Sequence, residues 1–138
     1  MKRVFVSGCF DLFHYGHVEF LRLAKAQGDW LIVSVARDAT VQALKREPIY
    51  PEAERPEIVR ACRYVNEAFL AYGETSEHDY LPYLKALRPE IWVVGGDDAY
   101  IEDKFLVAHK HGIDLRTIPP RVQGPHVTTV IEKIRARG

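Results

Sequence analysis

The sequence predicts an α/β fold: one parallel sheet of five strands with helices on both of its faces. Three observations point there. Short apolar runs recur at residues 2–6, 29–36, 65–71, 90–94 and 113–118. The clearest of them are nearly continuous rather than alternating, as befits strands covered on both faces. Stretches of helical period separate them, and strand–helix–strand units of these lengths close right-handed onto a parallel sheet.

Taken in order, the first run is short and opens through a loop into a helix over residues 16–26, whose Val18, Leu21, Leu23 and Ala24 can face a sheet. DWLIVSVA, residues 29–36, is so continuously apolar that it belongs inside the sheet. Arg37 and Asp38 follow at its carboxyl end, the side on which open α/β sheets bind ligands. Asp38 reads equally as the cap of a short helix over 39–44. Pro48 and Pro51 then exclude regular structure and leave a loop carrying Lys45 and Arg46. Residues 54–64 space Ile58, Val59, Ala61 and Cys62 helically, with Pro56 tolerable in the first turn. A cation at a helix start opposes the dipole, so an anion or a partner acid is expected to hold Arg55. Arg63, further along the same helix, is expected on roughly the same face.

After the strand at 65–71 come a turn over 73–78 and a helix reaching Leu87, capped by Thr75 or Ser76. Tyr80, Leu81 and Leu84 form its apolar face, and Pro82 requires a late start. His78 and Asp79 are expected in solvent. The strand at 90–94 ends in Gly95-Gly96-Asp97-Asp98, where paired glycines permit a sharp turn or close approach of backbone to a flat group. Asp97 could orient a ribose hydroxyl or hold this loop. The helix over 100–111 is expected to turn Phe105, Leu106 and Ala108 inward. His109 and His111, two apart, do not share a face and make a poor metal pair. Gly112 ends that helix, and after the fifth strand Thr128 and Thr129 open a last helix through Arg135, a second anion-binding N-terminus.

Residues 7–20, SGCFDLFHYGHVEF, carry the densest chemistry. They join the first strand to the first helix and hold Gly8, Asp11, His14, Gly16 and His17. Two histidines three apart at a helix start point the same way, where free backbone N–H groups and the dipole favour an anion. The expectation is a phosphate site. Cys9, inside this stretch, has no histidine–acid arrangement of its own and reads as packing. No G-x-G-x-x-G follows the first strand, which argues against a redox dinucleotide domain.

This stretch resembles the signature of the cytidylyltransferase-like nucleotidyltransferases, G-x-F-D-x-x-H-x-G-H, filled here by Gly8, Phe10, Asp11, His14, Gly16 and His17. The resemblance extends over nearly the whole chain, to the Thr-Thr pair near its end. It implies a Rossmann-like fold of the HUP type, with residues 1–138 as a single nucleotidyltransferase domain. His14, His17 and Lys45 are its implied catalytic residues. Gly8, Phe10, Asp11, Gly16, Arg63, Gly95, Asp97, Arg121, Thr128 and Thr129 are implied to bind the nucleotide. Arg55 is implied to lie near the substrate, and His78 and Asp79 fall where members of the family differ. Asn66 and Val127 depart from the Asp and Ser of relatives. Mg²⁺ would ride on the triphosphate rather than on a protein metal site.

Within that family the chain is similar to glycerol-3-phosphate cytidylyltransferases, to the adenylyltransferase domains of ADP-heptose synthases and to archaeal FMN adenylyltransferases. The expected reaction moves a nucleoside monophosphate, with CTP preferred, to a small phosphorylated alcohol such as glycerol 3-phosphate. The alternatives are adenylyl transfer from ATP to a heptose 1-phosphate or FMN, and a nucleotide-binding domain without turnover. Composition narrows the partners. The 138 residues balance 19 Lys and Arg against 19 Asp and Glu, which argues against charge-driven binding to nucleic acid or membrane. Two cysteines are too few for a disulfide framework, and no apolar run is long enough to span a bilayer. The expectations are a cytoplasmic protein and, from the family, a homodimer.

Overall fold

A computed structural model describes residues 1–44, 46–72, 78–119 and 127–137, the residues 127–129 by their backbone alone. The strands are β1 (Arg3–Gly8), β2 (Trp30–Val35), β3 (Glu67–Leu70), β4 (Ile91–Gly95) and β5 (Asp114–Ile118). The helices are α1 (Tyr15–Lys25), α2 (Asp38–Ala43), α3 (Arg55–Arg60), α4 (Leu81–Leu87), α5 (Ile101–Lys110) and α6 (Val127–Arg137). Every strand pair is parallel, in the order β3-β2-β1-β4-β5. β1 is therefore the central strand, with Val4 opposite Leu31 on one side and Ile91 on the other. The chain winds outward from β1 in both directions, so a topological switch falls between β1 and β4, where ligands of open α/β sheets bind.

Alternating side chains of the inner strands fill two cores. On one face Val4, Val6, Leu31, Val33 and Val93 pack with Leu21 and Ala24 of α1 and Val59 of α3. On the other Phe5, Ile32, Trp92 and Val94 pack with Tyr80, Leu84 of α4 and Ala108 of α5. Helices on both faces explain why the inner strands read as continuous apolar runs. α4 does begin late, with Pro82 in its first turn. After α5, Gly112 takes a left-handed φ of 67° that suits glycine at a helix end.

Three local expectations are corrected. α3 stops at Arg60 instead of running to residue 64, because the chain must turn to enter β3 opposite Ile32. α5 turns Lys104 and Ala108 inward, whereas Phe105 and Leu106 stand 47% and 71% exposed. The reason is chemical: Lys104 covers core aromatics with its aliphatic stem and satisfies its ammonium on Asp98. Asp79, expected in solvent, is 8% exposed. The cap assigned to Thr75 or Ser76 lies outside the described residues.

Candidate active site

The signature loop leaves β1 in a strained course. Phe10 and Leu12 have φ of 51° and 45°, a left-handed conformation that costs a non-glycine residue about 1 kcal/mol or more. Gly8 makes room for it: a Cβ there would come within 2.9 Å of the Phe10 ring. The buried Phe10 ring then lies 5.6 Å from His17, which stacks on Phe13 at 5.3 Å.

His14 and His17 cap α1 reciprocally. His14 Nδ1 accepts from the backbone N–H of Gly16, and His17 Nδ1 accepts from the backbone N–H of His14, each at 3.0 Å. A backbone amide can only donate, so both Nδ1 atoms present lone pairs and each neutral imidazole carries its proton on Nε2. The rings lie 4.0 Å apart at 35°. This revises the expected helix-terminus site. The His17 amide donates to the His14 carbonyl, and those of Gly16 and His14 are taken by the rings. Those amides are therefore not left for an anion, and Nε2 is the nitrogen of each ring that the reciprocal cap does not use.

Asp11 is a brace. Its buried carboxylate accepts backbone N–H bonds from Leu12 at 3.1 Å, Ile49 at 2.7 Å and Tyr50 at 2.8 Å, which ties the loop after α2 to the end of β1. Arg55 works with it. The guanidinium, wholly buried, donates to the carbonyls of Tyr50, Cys9 and Ala36 at 3.0, 2.9 and 2.6 Å and pairs with Asp38 at 2.7 Å. The partner acid expected for Arg55 is therefore Asp38, which stands in the first turn of α2 without capping it. Arg55 lies beneath the site, holding together the ends of β1, β2 and the loop, rather than facing substrate. Burial pushes the Cys9 thiol up; Arg46 and Arg55 pull it back, while Asp79 and Asp11 add to the rise.

At β4 the loop is held by the second acid. Asp98 pairs with the buried Lys104 at 2.6 Å and accepts the Tyr100 amide at 2.8 Å. Asp97 is exposed on the rim, near enough that a Cβ on Gly95 would lie 2.9 Å from its carboxylate. Gly8, Phe10, Asp11, His14, Gly16, His17, Gly95 and Asp97 thus gather at the carboxyl ends of β1 and β4. Arg63 does not join them. It is exposed, 5.3 Å over the Tyr64 ring, and precedes β3, so it lies at the opposite, amino end of the sheet. Thr128 and Thr129 stand in the first turn of α6. Lys45 and Arg121 lie outside the described residues. The Arg55 carbonyl clamp and the Lys104–Asp98 pair escaped sequence reasoning. For the second, an Asp just past a strand and a cation inside the next helix was the available signal. Among the described residues no group of three or more His, Cys, Asp or Glu could hold a metal ion, and no helix is long and apolar enough to cross a membrane.

A parallel sheet with a paired-histidine cap at its switch point is the frame of an α/β nucleotidyltransferase. The comparisons carry this to the family: residues 5–117 match the cytidylyltransferase-like model, and the chain belongs to that family of nucleotidyltransferases. It is similar to the FAD synthase of Thermococcus kodakarensis, 40% identical over 118 residues that cover 84% of this chain and 77% of that one. The FAD synthase of Methanohalophilus mahii is 37% identical, covering 94% and 87%. The bifunctional protein HldE of Geotalea uraniireducens is 35% identical over 97% of this chain and 27% of its own length. Among solved structures, the lipopolysaccharide core biosynthesis protein of Thermoplasma volcanium superposes with a TM-score of 0.75 at 30% identity, covering 90% of this chain and 99% of that one.

Proposed function

We propose that this chain transfers the adenylyl group of ATP to FMN, forming FAD and pyrophosphate. The observation that carries the reading is the pair of Nδ1-capped histidines at the β1–β4 switch, in a chain alignable over most of its length with FAD synthases. A terminal phosphate oxygen of FMN attacks the α-phosphorus, the bond to the α–β bridging oxygen breaks, and pyrophosphate leaves. The acceptor is already an anion, so no protein nucleophile enters. Catalysis is alignment and neutralisation of charge. The Nε2–H groups of His14 and His17 donate to the phosphate oxygens. Lys45, Arg46, Arg121, Thr128 and Thr129 hold the remaining triphosphate charge, Asp97 and Gly95 border the nucleoside, and Mg²⁺ enters with ATP.

The relatives favour this alternative over cytidylyl transfer to glycerol 3-phosphate. A second reading, adenylyl transfer to a heptose 1-phosphate, draws on the HldE match along 97% of the chain. Pyrophosphate release distinguishes them when ATP and CTP are each offered with FMN, a heptose 1-phosphate and glycerol 3-phosphate. ATP with FMN is the expected pairing, with FAD as product by absorbance and mass. Within it, His14→Ala and His17→Ala are each expected to lower kcat about 100-fold or more with the circular dichroism unchanged. Turnover confined to another pairing would overturn the FMN reading, and wild-type kcat in both variants would overturn the role of the histidines.

A further inference from the structure

Tyr72 follows β3 at the carboxyl edge of the sheet and is 65% exposed. An aromatic ring left in water forgoes burial worth roughly 1.5–3 kcal/mol, yet its backbone is firmly mounted. The Tyr83 hydroxyl accepts the Tyr72 N–H and donates to the Tyr72 carbonyl at 3.0 Å, while the Tyr83 ring packs on Phe69 at 4.7 Å. Just upstream, the Ala71 amide is tied to Val35 at 2.8 Å. Ile49, 52% exposed, stands at the same end of the sheet, its amide fixed by Asp11. Two exposed apolar groups on pinned backbone at the reactive end of the sheet have the character of a preorganised platform.

We infer that Tyr72 is the stacking platform for the isoalloxazine ring of the acceptor, on the β2–β3 side of the histidines. The inference rests on the FMN reading and adds to it a residue that determines the acceptor. Distance supports the assignment. β2 lies between β1 and β3, so the end of β3 stands two strand spacings, about 10 Å, from the end of β1 where the phosphates meet His14 and His17. A ribityl chain bridges that gap between phosphate and ring; the short carbon chain of glycerol 3-phosphate does not.

The test is steady-state kinetics of the full chain with MgATP and FMN, comparing wild type with Tyr72→Ala, Tyr72→Trp and Tyr83→Phe. Loss of the ring is expected to raise the KM for FMN about tenfold or more, leaving kcat and the KM for ATP within about twofold. Tyr72→Trp should restore the KM, and Tyr83→Phe, which loosens the mount, should fall between. Quenching of FMN fluorescence on binding should weaken in the same order. A wild-type KM for FMN in Tyr72→Ala would overturn the platform while leaving FAD synthesis intact. A KM for ATP that rises in step would also overturn it, because the ring would then serve the nucleotide. If the wild type makes no FAD at all, the reading beneath it falls as well.

Discussion

Two buried cations brace the two sides of the candidate site, and they do so differently. Arg55, under the β1–β2 side, uses its planar fork to reach three carbonyls and Asp38, acceptors drawn from the end of β1, from residues 36–38 after β2 and from the loop at Tyr50. Lys104, under β4, has one acid partner, Asp98, and otherwise rests on the faces of Tyr80 and Trp92 at 5.6 and 6.0 Å. A guanidinium organises several chain ends at once, whereas an ammonium acts as a point charge. The side that must hold a strained signature loop has the fork. The side that must hold one short turn has the point charge.

The largest effect is expected where the fork is removed. Arg55→Ala leaves Asp38 and three carbonyls without their partner and should cost about 3–5 kcal/mol in urea unfolding. Arg55→Lys should recover less than half of that, since one ammonium cannot span the four acceptors. Near-complete recovery by lysine would erase the distinction between the two braces. Lys104→Met keeps the apolar stem and leaves Asp98, which is 21% exposed, able to hydrate. A loss of about 1 kcal/mol is expected, and a loss matching that of Arg55→Ala would show that the point charge organises as much as the fork.

The smallest effect belongs to a charge outside both braces. Backbone and side-chain hydrogen bonds from Arg3 hold the Glu90 carboxyl below its ordinary value. A carboxyl lowered by folding adds stability that is full above its unfolded value, 4.5, and fades as the pH falls through its lower folded value. Glu90→Gln should therefore lower the Tm slightly near neutrality and converge with wild type in acid. A difference that grew towards low pH would contradict the sign. The exposure of this pair keeps the effect within about 1 kcal/mol.

Much of the architecture was legible because it follows from local pattern. Continuous apolar runs marked the buried strands, Gly112 marked a helix end, and Gly8, His14, Gly16 and His17 marked the site loop. Inference from local sequence failed where partners lie far apart. Asp11 meets Ile49 and Tyr50 across 38 and 39 residues, and Arg55 meets Cys9 across 46. Nothing in their spacing separates a brace from a ligand. The facing of α5 failed for another reason: Phe105 and Leu106 outweigh Lys104 on any hydrophobicity scale, although the lysine has an acid waiting for it. Arg63 was assigned to the nucleotide by the resemblance, whereas α3 runs from the carboxyl end of the sheet to its amino end and carries Arg63 away from the histidines. The histidine motif was legible as the loop that opens α1, but not that its rings would occupy the amides expected to bind an anion.

The central position of β1 has a consequence for the order in which the molecule is made. Its partner on one side is finished by Val35, whereas its partner on the other, β4, begins only at Ile91. A chain emerging from the ribosome can pair β1, β2 and β3 early. The other edge of β1 waits without a strand partner for some sixty residues more, open to another chain in the meantime. The candidate site straddles that late seam, so the histidine loop at the end of β1 is made early but gains its β4 wall only after β3 and α4 have been made.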